Sequence, residues 1–167
     1  MRDARISLPR VQQLHPTLIN QVVEIINKVE INFPKTIQVR VTATFRTFAE
    51  QDALFRKRPK VSNSRGGQSY HNYRLAFDFV LMYDLNGDGN YETVSWDTLK
   101  DFDRDGQADW MEVVNAFKAA GWEWGGDFRS LPDSPHLQFT YNKHWRELLA
   151  MHNAKKFIPK TQFLKLP

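Results

Sequence analysis

The apolar positions of this 167-residue chain recur with two different periods. Between Pro16 and Ile31, Leu18, Ile19, Val22, Val23, Ile26 and Val29 return every three or four residues. That spacing predicts an amphipathic helix with Pro16 in its first turn. From Thr36 to Thr44 the period drops to two and β-branched residues dominate, which predicts a strand. Thr47 and Glu50 stand at capping-box spacing and open a helix running to about Arg58. Residues 59–68 are polar, include Gly66 and Gly67, and read as a loop at the edge of a cleft. Leu75 to Met82 alternates again, with Ala76, Asp78, Val80 and Met82 on one face and Leu75, Phe77, Phe79 and Leu81 on the other. Trp110 to Ala120 puts Val113, Val114, Phe117 and Ala120 on one helical stripe and stops at Gly121. An aromatic, glycine-rich turn (Trp122, Trp124, Phe128) follows, and Ser134-Pro135 leads into a short strand, His136 to Thr140, expected beside the Asp78 strand. Asn142 to His152 closes the pattern as a helix with Trp145, Leu148, Leu149 and His152 on its inner side. The expected class is α+β, a small antiparallel sheet flanked by helices.

A hydrophobic share of 41% and a charged share of 25% are ordinary for a globular chain, and the length fits one domain, residues 1–167. No apolar run is long enough to cross a membrane. Cysteine is absent, so no disulfide framework can form and a metal must be held by nitrogen and oxygen. Met1 to Ser7 lacks the apolar stretch of a secretory signal, so the expectation is that the chain leaves the cytosol by another route or that a leader has been removed.

Charge is unevenly placed. Residues 84–112 hold nine acidic and two basic side chains, a net of −7, while the rest carries +11. Within that segment Asp101, Asp103, Asp105, Gly106, Gln107, Asp109 and Glu112 fall on the spacing of a twelve-residue calcium loop: alternating oxygen donors, glycine at the turn, a bidentate carboxylate at the end. Calcium is the expected structural ion, pinning an insertion and holding a cleft wall. Asp84, Asn86, Asp88, Gly89, Asn90 and Glu92 repeat the first half, but Ser95 takes the twelfth place; the segment reads as a second site or as a hairpin turn. The basic remainder, including the tail 155–165, suits an anionic polymer. No nucleic-acid recognition motif accompanies it, so no nucleic acid is expected.

The chemistry concentrates at Ser69-Tyr70-His71-Asn72-Tyr73-Arg74-Leu75-Ala76-Phe77-Asp78 and at Asp133-Ser134-Pro135-His136. Two imidazoles and one carboxylate make a set that can hold zinc and leave a position open for water, and Asp133 is a further carboxylate able to work on that water. Asp78 is a charge on an otherwise apolar strand face and needs a partner or a metal. His71 by itself reads more readily as a hydrogen-bonded structural histidine, and a His-x6-Asp spacing arises often by chance.

The combined pattern S-x-H-x-x-x-x-A-x-D followed by D-x-P-H resembles the zinc D,D-peptidase-like family of cell-wall enzymes, over roughly residues 36–140. Phe45-Arg46-Thr47 with Glu50-Gln51, and Trp124-Gly125-Gly126-Asp127-Phe128, are most similar to its L-alanyl-D-glutamate endopeptidase branch, which includes phage endolysins. The resemblance implies zinc on His71, Asp78 and His136, Asp133 as catalytic base, and Arg46 holding substrate or the developing oxyanion. It implies Ser69, Gln51 and Trp124 as substrate-binding residues, with Asp127 bonding backbone or a zinc ligand. The implied partner is the stem peptide of peptidoglycan, cut between L-Ala and D-Glu by a monomer acting in the periplasm or wall. A D-Ala-D-Ala carboxypeptidase is the close rival, and a non-catalytic zinc- and calcium-bound wall- or protein-binding module the distant one. The family's usual glycine three residues after the first His is Arg74 here, so the expectation is either an altered turn or a cation reaching the cleft.

Overall fold

The computed structural model describes residues 1–167 and opens with a helix that periodicity does not announce, α1 (Ala4–Val11). It is eight residues long and contains Pro9, so it has little apolar stripe and lacks a full set of internal hydrogen bonds. Docking holds it: Ser7 Oγ donates to Asp3 and accepts from the Val41 amide, while Arg10 donates to the Val41 carbonyl. The predicted long helix is α2 (Pro16–Asn32), burying Leu18, Val22, Ile25, Ile26 and Val29. The strand after it is β1 (Ile37–Ala43), and α3 (Phe48–Arg56) starts at Thr47 with both halves of the capping box formed. Then come β2 (Ala76–Tyr83), β3 (Thr93–Ser95), α4 (Asp109–Ala119), β4 (Glu123–Trp124), β5 (His136–Gln138) and α5 (Trp145–Asn153).

The sheet is built around β2. β1 runs antiparallel along one edge; along the other, β5 pairs with Ala76–Asp78 and β3 pairs with Leu81–Tyr83. β4 extends the sheet beyond β5. The Leu75, Phe77, Phe79 and Leu81 face of β2 is fully buried and forms the core with α4 and α2. Phe79 stacks on Trp110 at 4.5 Å, and Phe77 meets Phe117 at 5.1 Å and Trp122 at 5.3 Å. Each such ring contributes about 1.5–3 kcal/mol by leaving water. The basic tail packs back on the body: Leu164 is buried and its carbonyl accepts from Nε2 of the buried His15.

The acidic segment leaves the sheet at the Tyr83 end of β2. Its first loop is the connection of the β2–β3 hairpin, in which the Asp84 carboxylate accepts from the Gly87, Asp88 and Gly89 amides. The second loop repeats that arrangement, with Asp101 accepting from the Asp105 and Gly106 amides. Gly89 and Gly106 both have positive φ, at 90° and 96°. The segment therefore lies at the opposite end of β2 from Asp78, and none of its residues lines the cleft described below. It steadies the start of α4 instead of a cleft wall: Asp109 is fully buried and accepts from the Tyr83 hydroxyl and the Phe102 amide.

Candidate functional site

Strand register decides which side chains meet. Asp78 stands directly opposite His136 across the β2–β5 ladder, and Ala43 lies opposite Asp78 on the β1 side after a bulge. A single 3₁₀ turn, Tyr70–Tyr73, brings His71 over the same end of the sheet. Asn72 fastens that turn, donating to the Arg46 and Thr47 carbonyls and accepting from the Gly67 amide. Arg74 ends the turn in the left-handed region, φ 63° and ψ 32°, the conformation a glycine takes without cost. Arg74 thus adopts a conformation open to glycine, and its side chain does not line the cleft. Its guanidinium lies over Phe45 at 3.7 Å and donates to the Gln13 carbonyl.

His71 Nε2, His136 Nδ1 and Asp78 Oδ1 converge at 3.1, 3.1 and 3.2 Å from one another. The opposite nitrogens of both rings are already committed. His71 Nδ1 faces the Thr44 carbonyl at 2.5 Å, and a carbonyl can only accept, so that nitrogen carries the proton. His136 Nε2 faces Gln138 Oε1 at 3.0 Å, and the Gln138 amide nitrogen donates to Glu123, so His136 Nε2 is the donor there. In the neutral imidazoles the two converging nitrogens are therefore bare. In that state two lone pairs and a carboxylate oxygen aimed at one point repel unless a cation, a metal ion or a proton, joins them. The N, N, O donor set fits zinc.

The cleft over this point has a volume of about 440 Å³ and is lined by Arg46, Gln51, Ser69, His71, Asp78, Asp133 and His136 together with Tyr70, Phe128 and Trp145. Burial pushes the Asp78 carboxyl up, but His71 and His136 outweigh it and hold the group well below the usual carboxylate range. Burial pulls His136 down, and the Asp78 carboxylate more than offsets that. Asp133, at the open mouth, is shifted upward by desolvation against the cleft wall and by Asp78. One arm of Arg46 donates to Gln51 Oε1 at 2.8 Å, and the other lies 3.8 Å from Asp78 Oδ2.

Gln51, expected as a substrate contact, is buried with both ends of its amide engaged: it braces Arg46 and donates to Ser62 and to the Ser64 carbonyl. Trp124 does not line the cleft; its indole donates to the Ser134 carbonyl and staples the turn before His136. Asp127 pairs with Lys118 on the surface. Trp145, expected inward, is a cleft wall through its place at the start of α5. Gly125 is required by close approach, because a Cβ there would sit 2.4 Å from the Asp133 carbonyl and 2.8 Å from His136 Cβ. Asn72 and Gln138 escaped the sequence reading. Gln138 had a signal, since a residue two positions after His136 on a strand shares its face; Asn72 had none beyond its neighbour.

The acidic segment assembles Asp101, Asp103 and Asp109 as one close carboxylate group and Asp103, Asp105 and Glu112 as another; Asp84, Asp88 and Glu92 form a third. Glu112 Oε2 is buried without a hydrogen-bond partner, and desolvation together with Asp105, Asp103, Asp109 and Asp101 pushes the carboxyl up to about 7.

Comparison with known proteins places these features in company. A family model described as D-alanyl-D-alanine carboxypeptidase matches residues 62–139, the span holding His71, Asp78, Asp133 and His136. The chain is 39% identical over 146 residues to the peptidoglycan L-alanyl-D-glutamate endopeptidase CwlK of Bacillus subtilis, covering 84% of this chain and 82% of that one. It is 32% identical over 105 residues to the L-alanyl-D-glutamate peptidase of Listeria phage A118, covering 63% of this chain and 31% of the phage protein. The crystal structure of the Serratia marcescens L-Ala D-Glu endopeptidase ChiX shares the fold, with a TM-score of 0.55 at 22% identity over 86% of this chain and 90% of that one.

Proposed function

The chain belongs to the peptidase family of its relative CwlK of Bacillus subtilis, and from that premise we infer that it is a metallopeptidase of peptidoglycan, hydrolysing the stem peptide between L-Ala and D-Glu. The observation that carries the zinc reading is the convergence of His71 Nε2, His136 Nδ1 and Asp78 Oδ1 on one point, with the far nitrogen of each ring engaged elsewhere. Zinc held by these three would supply Lewis acidity, which makes water nucleophilic near neutral pH and polarises a carbonyl.

The protein's own groups do the rest. Asp133 lines the same cleft and is the one carboxylate there outside the ligand set, so it takes the proton of the attacking water and returns it to the leaving amine. Its upward shift suits that exchange, because a carboxyl held above its ordinary value accepts a proton more readily. Arg46, braced by Gln51, keeps a fixed positive charge beside the reacting carbonyl and stabilises the oxyanion as it forms. Phe128, Tyr70 and Trp145 wall the cleft. Residues 1–167 are read as one peptidase unit, and the acidic segment as a calcium loop on Asp101, Asp103, Asp105, Gln107, Asp109 and Glu112, supported by the unpartnered Glu112 oxygen.

The test is digestion of purified wall by the zinc-loaded protein, with new termini read by mass spectrometry. New D-Glu amino termini are expected. Release of free D-Ala without them would favour the carboxypeptidase named by the family description.

A further inference from the structure

We propose that Gln138, oriented by Glu123, is a positioning residue that fixes the tautomer of His136 and so determines which of its nitrogens faces the metal. The inference rests on the zinc-site reading and extends it beyond the three ligands. His136 and Gln138 are alternate residues of β5, so both side chains stand on one face of the sheet. Gln138 is buried, and its Oε1 lies 3.0 Å from His136 Nε2.

A glutamine amide can present either end, and turned round its NH2 would face His136 and favour a bare Nε2. Glu123 removes that choice. It stands opposite Gln138 across the β4–β5 ladder, and its carboxylate accepts from Gln138 Nε2 at 2.8 Å. A carboxylate cannot donate, so the amide nitrogen must point to Glu123 and the amide oxygen to His136. The other Glu123 oxygen accepts from the Thr140 hydroxyl, which fixes the carboxylate in turn. The direction of donation runs one way along the string: His136 to Gln138, Gln138 to Glu123. His136 Nδ1 is left with its lone pair directed at His71 Nε2 and Asp78. The two-residue strand β4 thus serves chiefly to bring one carboxylate to this string.

The experiment uses the full chain and two readouts besides turnover. The first is zinc affinity by competition with a chromophoric chelator; the second is the 15N shift of the His136 ring in metal-free protein, which reports the tautomer. Gln138→Leu should weaken zinc binding about 10- to 100-fold and move the metal-free ring toward the Nδ1–H form. Gln138→Glu alone sets two carboxylates against each other and should also weaken zinc. The double variant Glu123→Gln/Gln138→Glu keeps an acceptor at position 138 for His136 Nε2, with the amide at position 123 now donating to it, and should recover most of the about 10- to 100-fold loss. Thermal unfolding separates loss of fold from loss of zinc, and if Gln138→Leu does not fold, the charge-swapped pair decides. Unchanged zinc affinity in Gln138→Leu, or no recovery in the double variant, would overturn the proposal. A parent protein that takes up no zinc would instead overturn the zinc reading itself.

Discussion

Asp78 and Asp133 line one cleft, yet their carboxyl groups are displaced in opposite directions from the ordinary aspartate value. Asp78 has two imidazoles on it and stays ionised; Asp133 is pushed up by desolvation and then by its carboxylate neighbour, the division of labour expected of a ligand and a base. Replacing Asp133 with Ala should therefore lower kcat/KM by about 10²- to 10⁴-fold while zinc content, measured by atomic emission, stays at the parent level. Loss of zinc along with activity would count against Asp133 as a base. Arg74 gives a second prediction at this scale. Its left-handed backbone costs about 1–2 kcal/mol, but its guanidinium over Phe45 and its bond to Gln13 return about as much. Arg74→Gly relieves the strain and loses the contacts, whereas Arg74→Ala keeps the strain and loses them too. Arg74→Gly should therefore unfold near the parent temperature and Arg74→Ala lower by about 4–8 °C for a loss near 2 kcal/mol, with zinc binding untouched.

Among the elements, the turn between β4 and β5 is the most exacting. Gly125 lies against the Asp133 carbonyl and His136 Cβ, and its own carbonyl accepts from the Asp133 amide. Gly125→Ala must push the turn outward, which should cost about 1–3 kcal/mol in denaturant unfolding and displace Asp133 relative to His136, so kcat should fall further than stability alone explains. The acidic loop yields a prediction about pH. In the metal-free protein Glu112 titrates near 7, raised above its unfolded value first by desolvation and then by its acidic neighbours. Its contribution is thus fully present below the unfolded carboxylate value and is lost as pH rises through about 7. Chelator-treated protein should accordingly lose unfolding temperature between pH 5 and 8, roughly the interval spanning the two pKa values. Calcium at about 100 times its Kd should restore about 2.7 kcal/mol. Glu112→Gln should abolish both the pH dependence and the calcium response. A metal-free protein indifferent to calcium in calorimetry would remove the loop from the account.

On the scale of the whole molecule, charge is partitioned: the acidic segment hangs from the Tyr83 end of β2, and the basic remainder carries the cleft at the Asp78 end. A basic body attracted to an anionic polymer should bind intact wall less tightly as salt rises from about 0.05 to 0.5 M, because screening shortens the reach of surface charge. Cleavage of a short soluble stem peptide should change far less over the same range. Much of this architecture was legible beforehand. Local patterns dictated α2, β1, the boxed start of α3, β2, α4 and β5, since periodicity and capping are written within a few residues of one another. The short α1 was not, because docking against β1 holds it and not its own pattern. His71, Asp78 and His136 could be named as candidate metal ligands from residue types and motif, and the structure brings all three together. Which neighbours serve them was decided only in three dimensions. Gln51 turned out to brace Arg46, Trp124 to staple a turn, Asp127 to pair with Lys118, and Gln138 to hold His136. A side chain's chemistry is carried by its residue type, but its partner is set by strand register and by which loops the core forces together, and those are properties of the folded chain alone.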